Sequence, residues 1–179
     1  MNKTFFAAIM MATLPIACSA PSSDTAETTE TVEAAIAEVS DGMEFPVFTG
    51  PAGSENVAVS GFDTVSYFEG DGVPVEGSKD HRVKYNGVEY HFASAENAEK
   101  FQAEPAKYAP QYGGYCAWAI GANDALAPGD AQVYEIVDGK LYLNFNKQVQ
   151  ENWQKDIPGF IEKADTNYPA HSADEHYQD

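Results

Sequence analysis

Cys116 is the residue of this sequence best placed to do chemistry. It stands in QYGGYCAWAI, Gln111–Ile120, behind a glycine pair and among Tyr112, Tyr115 and Trp118. The only other cysteine is Cys18, near the N-terminus. Cleavage beyond Cys18 removes it, and lipidation blocks its sulfur. In either case Cys116 has no intramolecular partner; only cleavage upstream of an unmodified Cys18 leaves a pair. Two readings stay open. A free cysteine is commonly a small buried hydrophobe. Alternatively, Gly113 and Gly114 turn the chain so that CAWAIGA starts a helix at Cys116. Orphan N–H groups and the helix dipole would then stabilise a thiolate nucleophile. The absence of CxxC argues against thioredoxin-type exchange. A one-cysteine mechanism stops at sulfenic acid or needs an external thiol.

His91 is the second candidate. Strand alternation puts Tyr90 and Phe92 on one face and His91 on the other. If the His91 face is covered, His91 and Cys116 can meet. Such a pair would activate a nucleophile or form one S,N corner of a copper or zinc site. The alternative is a half-buried histidine bonded to backbone. Tyr115 and Trp118 are candidates to line a ligand pocket, or simply core. Asp63, in GFDTV, is either a ligand contact or a helix cap, the role aspartate favours in such turns. His171 and His176, in HSADEH, read as a solvated tail with at most weak metal affinity. The sequence holds no HExxH, GxSxG, phosphate loop or dinucleotide fingerprint.

These residues need elements to hold them. The folded part begins near Phe45, with a short strand expected in VAVSGFDTVSYF. HRVKYNGVEYHFA predicts a β-hairpin turning at Asn86-Gly87. Ser94 then caps a helix that buries Ala95, Ala98 and Phe101, and Pro105 ends it and opens a short one. A second hairpin turns at Asp138-Gly139. A helix with Val149, Trp153 and Ile157 at helical spacing follows, interrupted at Pro158-Gly159, with a last turn or two through Pro169. The fold class is α+β, with a small antiparallel sheet from two hairpins, each followed by a helix. No internal repeat is visible in the sequence.

The charge excludes some partners. With 28 acidic and 10 basic residues the formal net charge is −18. Nucleic acid binding needs clustered Lys and Arg, so it is not expected. Residues 1–18 read as an export leader: Lys3, then an apolar run from Phe5 to Ile16 too short to span a membrane. LPIACS resembles a lipobox with Cys18 as the lipidation site, although Pro15 stands where leucine is usual. The alternative is ordinary cleavage near Ala20. Residues 19–44 form an acidic stretch without a basic residue, expected to be a disordered tether. Residues 45–169 are the domain and 170–179 a polar tail. The expectation is an exported protein, periplasmic or held at the outer membrane by its lipid. The sequence names no protein partner.

NGVEYHFASAENAEKFQAEPAKYAPQYGGYCAWAI and VDGKLYLNFNKQVQENWQKDIPGFIEKADTNYP resemble the YHS domain family. Its Tyr, His and Ser fall on Tyr90, His91 and Ser94, and the resemblance runs from about Val57 to Pro169. It implies a metal-binding module, with copper the metal suggested, since the domain occurs in copper-transporting ATPases. Some exported relatives resemble selenoproteins, which implies reactive sulfur chemistry at Cys116. The sequence departs from the metal-associated pattern, because Ser60 and Ala93 stand where cysteines are expected. Two functions follow: a metal or small-ligand module using His91 and Cys116, or a thiol-dependent redox protein using Cys116.

Overall fold

The computed structural model describes residues 37–38, 44–50 and 56–177. All of them fall in one compact body, Glu33–Asp179. The leader, Cys18 and most of the expected tether lie outside the described residues. Within that tether, Ala37–Glu38 (β1) is a strand.

The expected strand near Ala58 is instead a tight turn, Ala58–Gly61. Val59 and Ser60 both have φ of 53° and Gly61 has 81°. A left-handed conformation costs a non-glycine residue about 1–2 kcal/mol, more telling in a β-branched valine. Tertiary packing therefore fixes this turn; Val59 is buried. Then come Phe62–Asp63 (β2), a 3-10 turn Thr64–Tyr67, and Val75–Glu76 (β3), which pairs antiparallel with β2. The first hairpin joins Ser78–Tyr85 (β4) to Val88–Phe92 (β5). Asn86 and Gly87 turn it with φ of 49° and 78°, the left-handed pair a type I′ turn needs. β1 adds in parallel to the outer edge of β4. Ser94 caps Ala95–Ala103 (α1) by accepting from the Asn97 N–H, and Pro105 opens Pro105–Tyr108 (α2).

The chain then repeats this plan. Tyr112, Gly113 and Gly114 have φ of 55°, 59° and 82°, matching Val59 to Gly61. Tyr115 bridges Pro128 as Phe62 bridges Glu76. Ala117–Asn123 (α3) starts at Cys116 as the 3-10 turn starts at Asp63. Asp130–Val137 (β6) and Lys140–Asn144 (β7) form the second hairpin. Its register breaks between Asp130 and Tyr134, as that of β4 breaks between Ser78 and Arg82. Asp138-Gly139 turns it as Asn86-Gly87 turns the first. Asn146 caps Lys147–Trp153 (α4) as Ser94 caps α1, and Ile157–Asn167 (α5) follows. In both units a glycine at a matching place tolerates no side chain. A Cβ on Gly77 would lie 2.4 Å from the His91 carbonyl carbon, and one on Gly129 would lie 2.3 Å from the Gly114 oxygen. The described domain is thus a tandem structural duplication, which the sequence reading missed. Its α+β class stands, but each hairpin keeps its own sheet.

One further expectation is corrected. Pro158 does not interrupt a helix; it sits in the first turn of α5, where its missing N–H costs nothing, and Asp156 caps that helix through the Gly159 N–H. Trp153 and Ile157 therefore belong to different helices.

Two hydrophobic clusters fill the interior, one around Phe92 and Phe101, the other around Tyr115, Tyr142 and Trp153. Phe101 and Trp153 hold corresponding places in α1 and α4, and both are fully buried. Tyrosine is prominent throughout. The Tyr67 hydroxyl donates to the Ala131 carbonyl at 2.7 Å, Tyr112 to Asp165 at 2.9 Å, and Tyr168 to the Pro46 carbonyl at 2.6 Å. Burial raises the pKa of Tyr67, Tyr90, Tyr112, Tyr115, Tyr142 and Tyr168. The folded state holds these protons more tightly than the unfolded chain, whose tyrosines ionise near pH ~10. Their contribution is complete below that pH and is lost as pH rises toward the folded values. An alkaline absorbance titration at 295 nm is thus expected to show a group of tyrosinates appearing only together with unfolding, detected by circular dichroism. Independent ionisation of all the tyrosines in the folded protein would contradict it.

Candidate functional site

A pocket of about 400 Å³ opens beside His91, lined also by Ser60, Gly61, Phe62, Glu76 and Lys79. The register of the first hairpin produces it. β5 turns Tyr90 and Phe92 into the core and leaves Glu89 and His91 on the other face, as the alternation predicts. Adjacent positions of one parity bring Glu89 Oε1 to 2.6 Å from His91 Nε2. His91 is nonetheless buried, at 5% exposure. Gly77 makes this possible: its bare Cα lets β3 and the β5 backbone close up, and its N–H donates to the Gly61 carbonyl at 2.9 Å. A Cβ at Gly61 would lie 3.7 Å from Nδ1, so the other ring nitrogen faces the strained turn. A carboxylate that engages one imidazole nitrogen fixes the ring orientation and leaves the second to act.

The corresponding place in the second unit is built differently. His91 is replaced there by Leu143, and Ser60 by Gly113. The arm at Pro46–Phe48 covers Gly113: Phe48 N–H donates to the Gly113 carbonyl at 2.9 Å, and a Cβ at Gly113 would lie 2.3 Å from the Pro46 oxygen. Ser60 is exposed. The two copies of the site thus differ in their side chains and in what packs on the turn.

Asp63 and Cys116 occupy corresponding positions. Asp63 is fully buried, and its carboxyl oxygens accept from the Val65 N–H at 2.9 Å, the Ala93 N–H at 2.9 Å and Asn97 Nδ2 at 2.7 Å. It caps the turn and clamps the end of the first hairpin, and it is absent from the lining of the His91 pocket. Cys116 is also fully buried. Burial raises its pKa, and the backbone N–H groups of Ala119, Phe145 and Trp118 act in the opposite direction without overcoming it. The helix start expected at Cys116 is there, but desolvation outweighs it. The sulfur lies 3.8 Å from Asn144 Oδ1, and the Cys116 backbone forms a bridge with Leu143. Cys116 is not among the residues lining the His91 pocket, so the structure does not assemble the two into one site. Tyr115 is buried against Phe48, with ring centroids 5.6 Å apart, and Trp118 is half-buried against the second cluster.

The tail differs from a solvated one. His171 reaches Asp124 Oδ1 at 3.2 Å and Glu175 Oε2 at 3.1 Å, and Tyr177 packs on the second cluster. Among the described residues, no three His, Cys, Asp or Glu side chains converge as metal ligands. The residues beside His91 supply one further carboxylate, Glu76, and no thiolate.

Sequence reasoning missed Glu89 as the partner of His91 and the strained turn at Ser60. The spacing of Glu89 and His91 on one strand face was the available signal. In comparisons with known proteins, the family model of the YHS domain matches residues 70–112. No curated protein matches the chain. No solved structure matches it either. The matched segment contains β3, the first hairpin, α1 and α2; it includes His91 and ends before Cys116.

Proposed function

Because the chain carries a YHS domain over residues 70–112, we propose that it is a binding module and that its ligand sits against His91. The observation that carries this reading is the buried His91–Glu89 pair at 2.6 Å beside an open pocket. The ligand class is a small polar molecule with both donor and acceptor groups. One imidazole nitrogen, the Ser60 hydroxyl and the Glu76 carboxylate would fix its orientation, while Phe62 and Val57 supply apolar walls. The volume suits a molecule smaller than a typical drug. In this reading the module works outside the cytoplasm, standing on the lipidated Cys18, and its strong negative charge keeps it from polyanionic surfaces.

NMR titration with a panel of small amides and carboxylic acids tests the proposal. Amide shifts are expected to concentrate at Ser60, Gly61, Gly77 and His91. Changing His91 to Phe, which keeps the bulk and removes the nitrogens, is expected to weaken the best binder at least tenfold, about 1.4 kcal/mol. Zinc and copper(II) are expected to shift Tm no more in wild type than in His91→Ala. Shifts centred elsewhere, or a metal stabilisation that depends on His91, would overturn the reading.

A further inference from the structure

The outer faces of the two hairpins have different fates. Arg82 pairs with His91 as Tyr134 pairs with Leu143, and Lys84 pairs with Glu89 as Ile136 pairs with Leu141. Lys79 and Ala131 stand second in β4 and β6. In the second unit this face is apolar and covered. Ala131, Leu141 and Leu143 belong to the first hydrophobic cluster, and Tyr134 and Ile136 pack against it. In the first unit each of these positions carries a polar or charged side chain. Lys79, Arg82, Lys84 and Glu89 line a pocket of about 540 Å³, together with Asn56 and Val57. It adjoins the His91 pocket, with which it shares Val57 and Lys79. Strict alternation from Lys84 and Arg82 would bring Asp80 to this face. The register break between Ser78 and Arg82 brings Lys79 instead, so a cation stands where a carboxylate would.

The side chains here are those of an anion site. The chain has 28 acidic and 10 basic residues, yet three of the ten lie within Lys79–Lys84, and Arg82 is its only arginine. Among the described residues, the buried Nε of Arg82 has no hydrogen-bond partner. Glu89, the one carboxylate in the lining, is bonded to His91 at 2.6 Å. Lys79 and Lys84 each have a contact of their own, so they contribute charge, and the directed donors come from Arg82. A buried donor without an acceptor is costly, and an ion or a water commonly accounts for one in a native structure. The planar guanidinium presents forked donors that match the paired oxygens of a carboxylate or a phosphate. We propose that this pocket is a second binding site, taking a small, multiply charged oxyanion on Arg82 while Lys79 and Lys84 balance its remaining charge. The acidic residues elsewhere do not forbid it, because their repulsion is screened beyond about 8 Å at physiological salt. A second copy of the chain does not suit this face as the first unit suits the second. It would bury these cations against apolar surface, at a cost that only paired charges offset. The site is independent of the ligand proposed for the His91 pocket.

The test uses the full chain and two probes, inorganic phosphate and succinate, each compared with sodium chloride at matched ionic strength. NMR titration is expected to shift the backbone amides of Arg82, Lys84 and Gly87 saturably with at least one probe and not with chloride. The tighter probe tells a phosphate site from a carboxylate site. Amides of Ser60 and Gly61 report the His91 pocket, so each site stands or fails on its own residues. Arg82→Lys keeps the charge and removes the fork. It is expected to weaken the tighter probe by about tenfold or more, with near-ultraviolet dichroism unchanged. Lys84→Gln, which leaves the fork intact, is expected to cost less than Arg82→Lys and supplies a second variant should the first fold poorly. Three outcomes would overturn the proposal: no saturable shift with either probe, shifts that chloride reproduces, or an affinity that Arg82→Lys leaves unchanged.

Discussion

Replacing Asp63 with alanine is expected to lower the unfolding free energy by about 3–5 kcal/mol. This carboxyl group is fully buried and accepts from Val65, Ala93 and Asn97. Alanine strands all three donors, that of Val65 in the interior and those of Ala93 and Asn97 in partly buried places. Each buried donor left unsatisfied costs about 1–3 kcal/mol, and the partly buried ones fall at the low end of that range. Against a typical domain stability of about 5–15 kcal/mol, that is a large fraction. Asp63→Asn separates geometry from charge. It keeps one oxygen acceptor but turns an NH2 toward N–H donors, so it should fall between wild type and alanine. Urea unfolding would show this as a lower midpoint with unchanged slope. A loss below about 1 kcal/mol for Asp63→Ala would mean that the turn, the hairpin end and α1 are held together by other contacts.

The second large effect concerns Cys116. Its sulfur is fully buried and burial raises its pKa. Iodoacetamide requires both thiolate and access, so it should react only when the site opens. Openings of core elements approach the global unfolding free energy. Labelling of the folded protein should therefore be at least about a thousandfold slower than that of a free cysteine, and should accelerate steeply through the denaturation midpoint. The carboxamidomethyl product is far larger than the fully buried thiol it replaces, so once formed it should prevent refolding of the second unit. Rapid labelling under native conditions would instead return Cys116 to the position of an accessible nucleophile.

Several parts of this fold are legible in the sequence because local chemistry dictates them. Asn86-Gly87 and Asp138-Gly139 specify hairpin turns through their tolerance of positive φ. Ser94 announces α1 by capping it. What escapes is whatever distant packing imposes. Nothing local predicts a valine and a serine in the left-handed region at Val59 and Ser60; their neighbours in space hold them there. The duplication escapes because the two units share conformation while exchanging residue types: Asp63 for Cys116, His91 for Leu143, Ala93 for Phe145. The helix start at Cys116 is legible, but its consequence is not, because the depth of burial that outweighs the helix end is a tertiary property. The alternation puts His91 on the face opposite Tyr90 and Phe92, where the structure has it, but Glu89 beside it is overlooked, since a carboxylate at a neighbouring same-face position looks like ordinary solvated charge.

The turn at Asn86-Gly87 has a bearing on how the protein ages. An asparagine followed by glycine is the sequence most prone to lose its amide spontaneously, through a cyclic imide that opens to aspartate or to isoaspartate. Asn86 is also held at a φ of 49° in a two-residue turn. The second unit already has aspartate at the matching place, Asp138, with φ of 51°. The aspartate product is therefore a residue this turn accommodates elsewhere in the same molecule, and it would add only one more negative charge to an already acidic chain. The isoaspartate product inserts a methylene into the backbone and has no precedent in either hairpin. Old preparations would accordingly separate into two populations, one with its first hairpin intact and one in which the strand carrying His91 has lost its register.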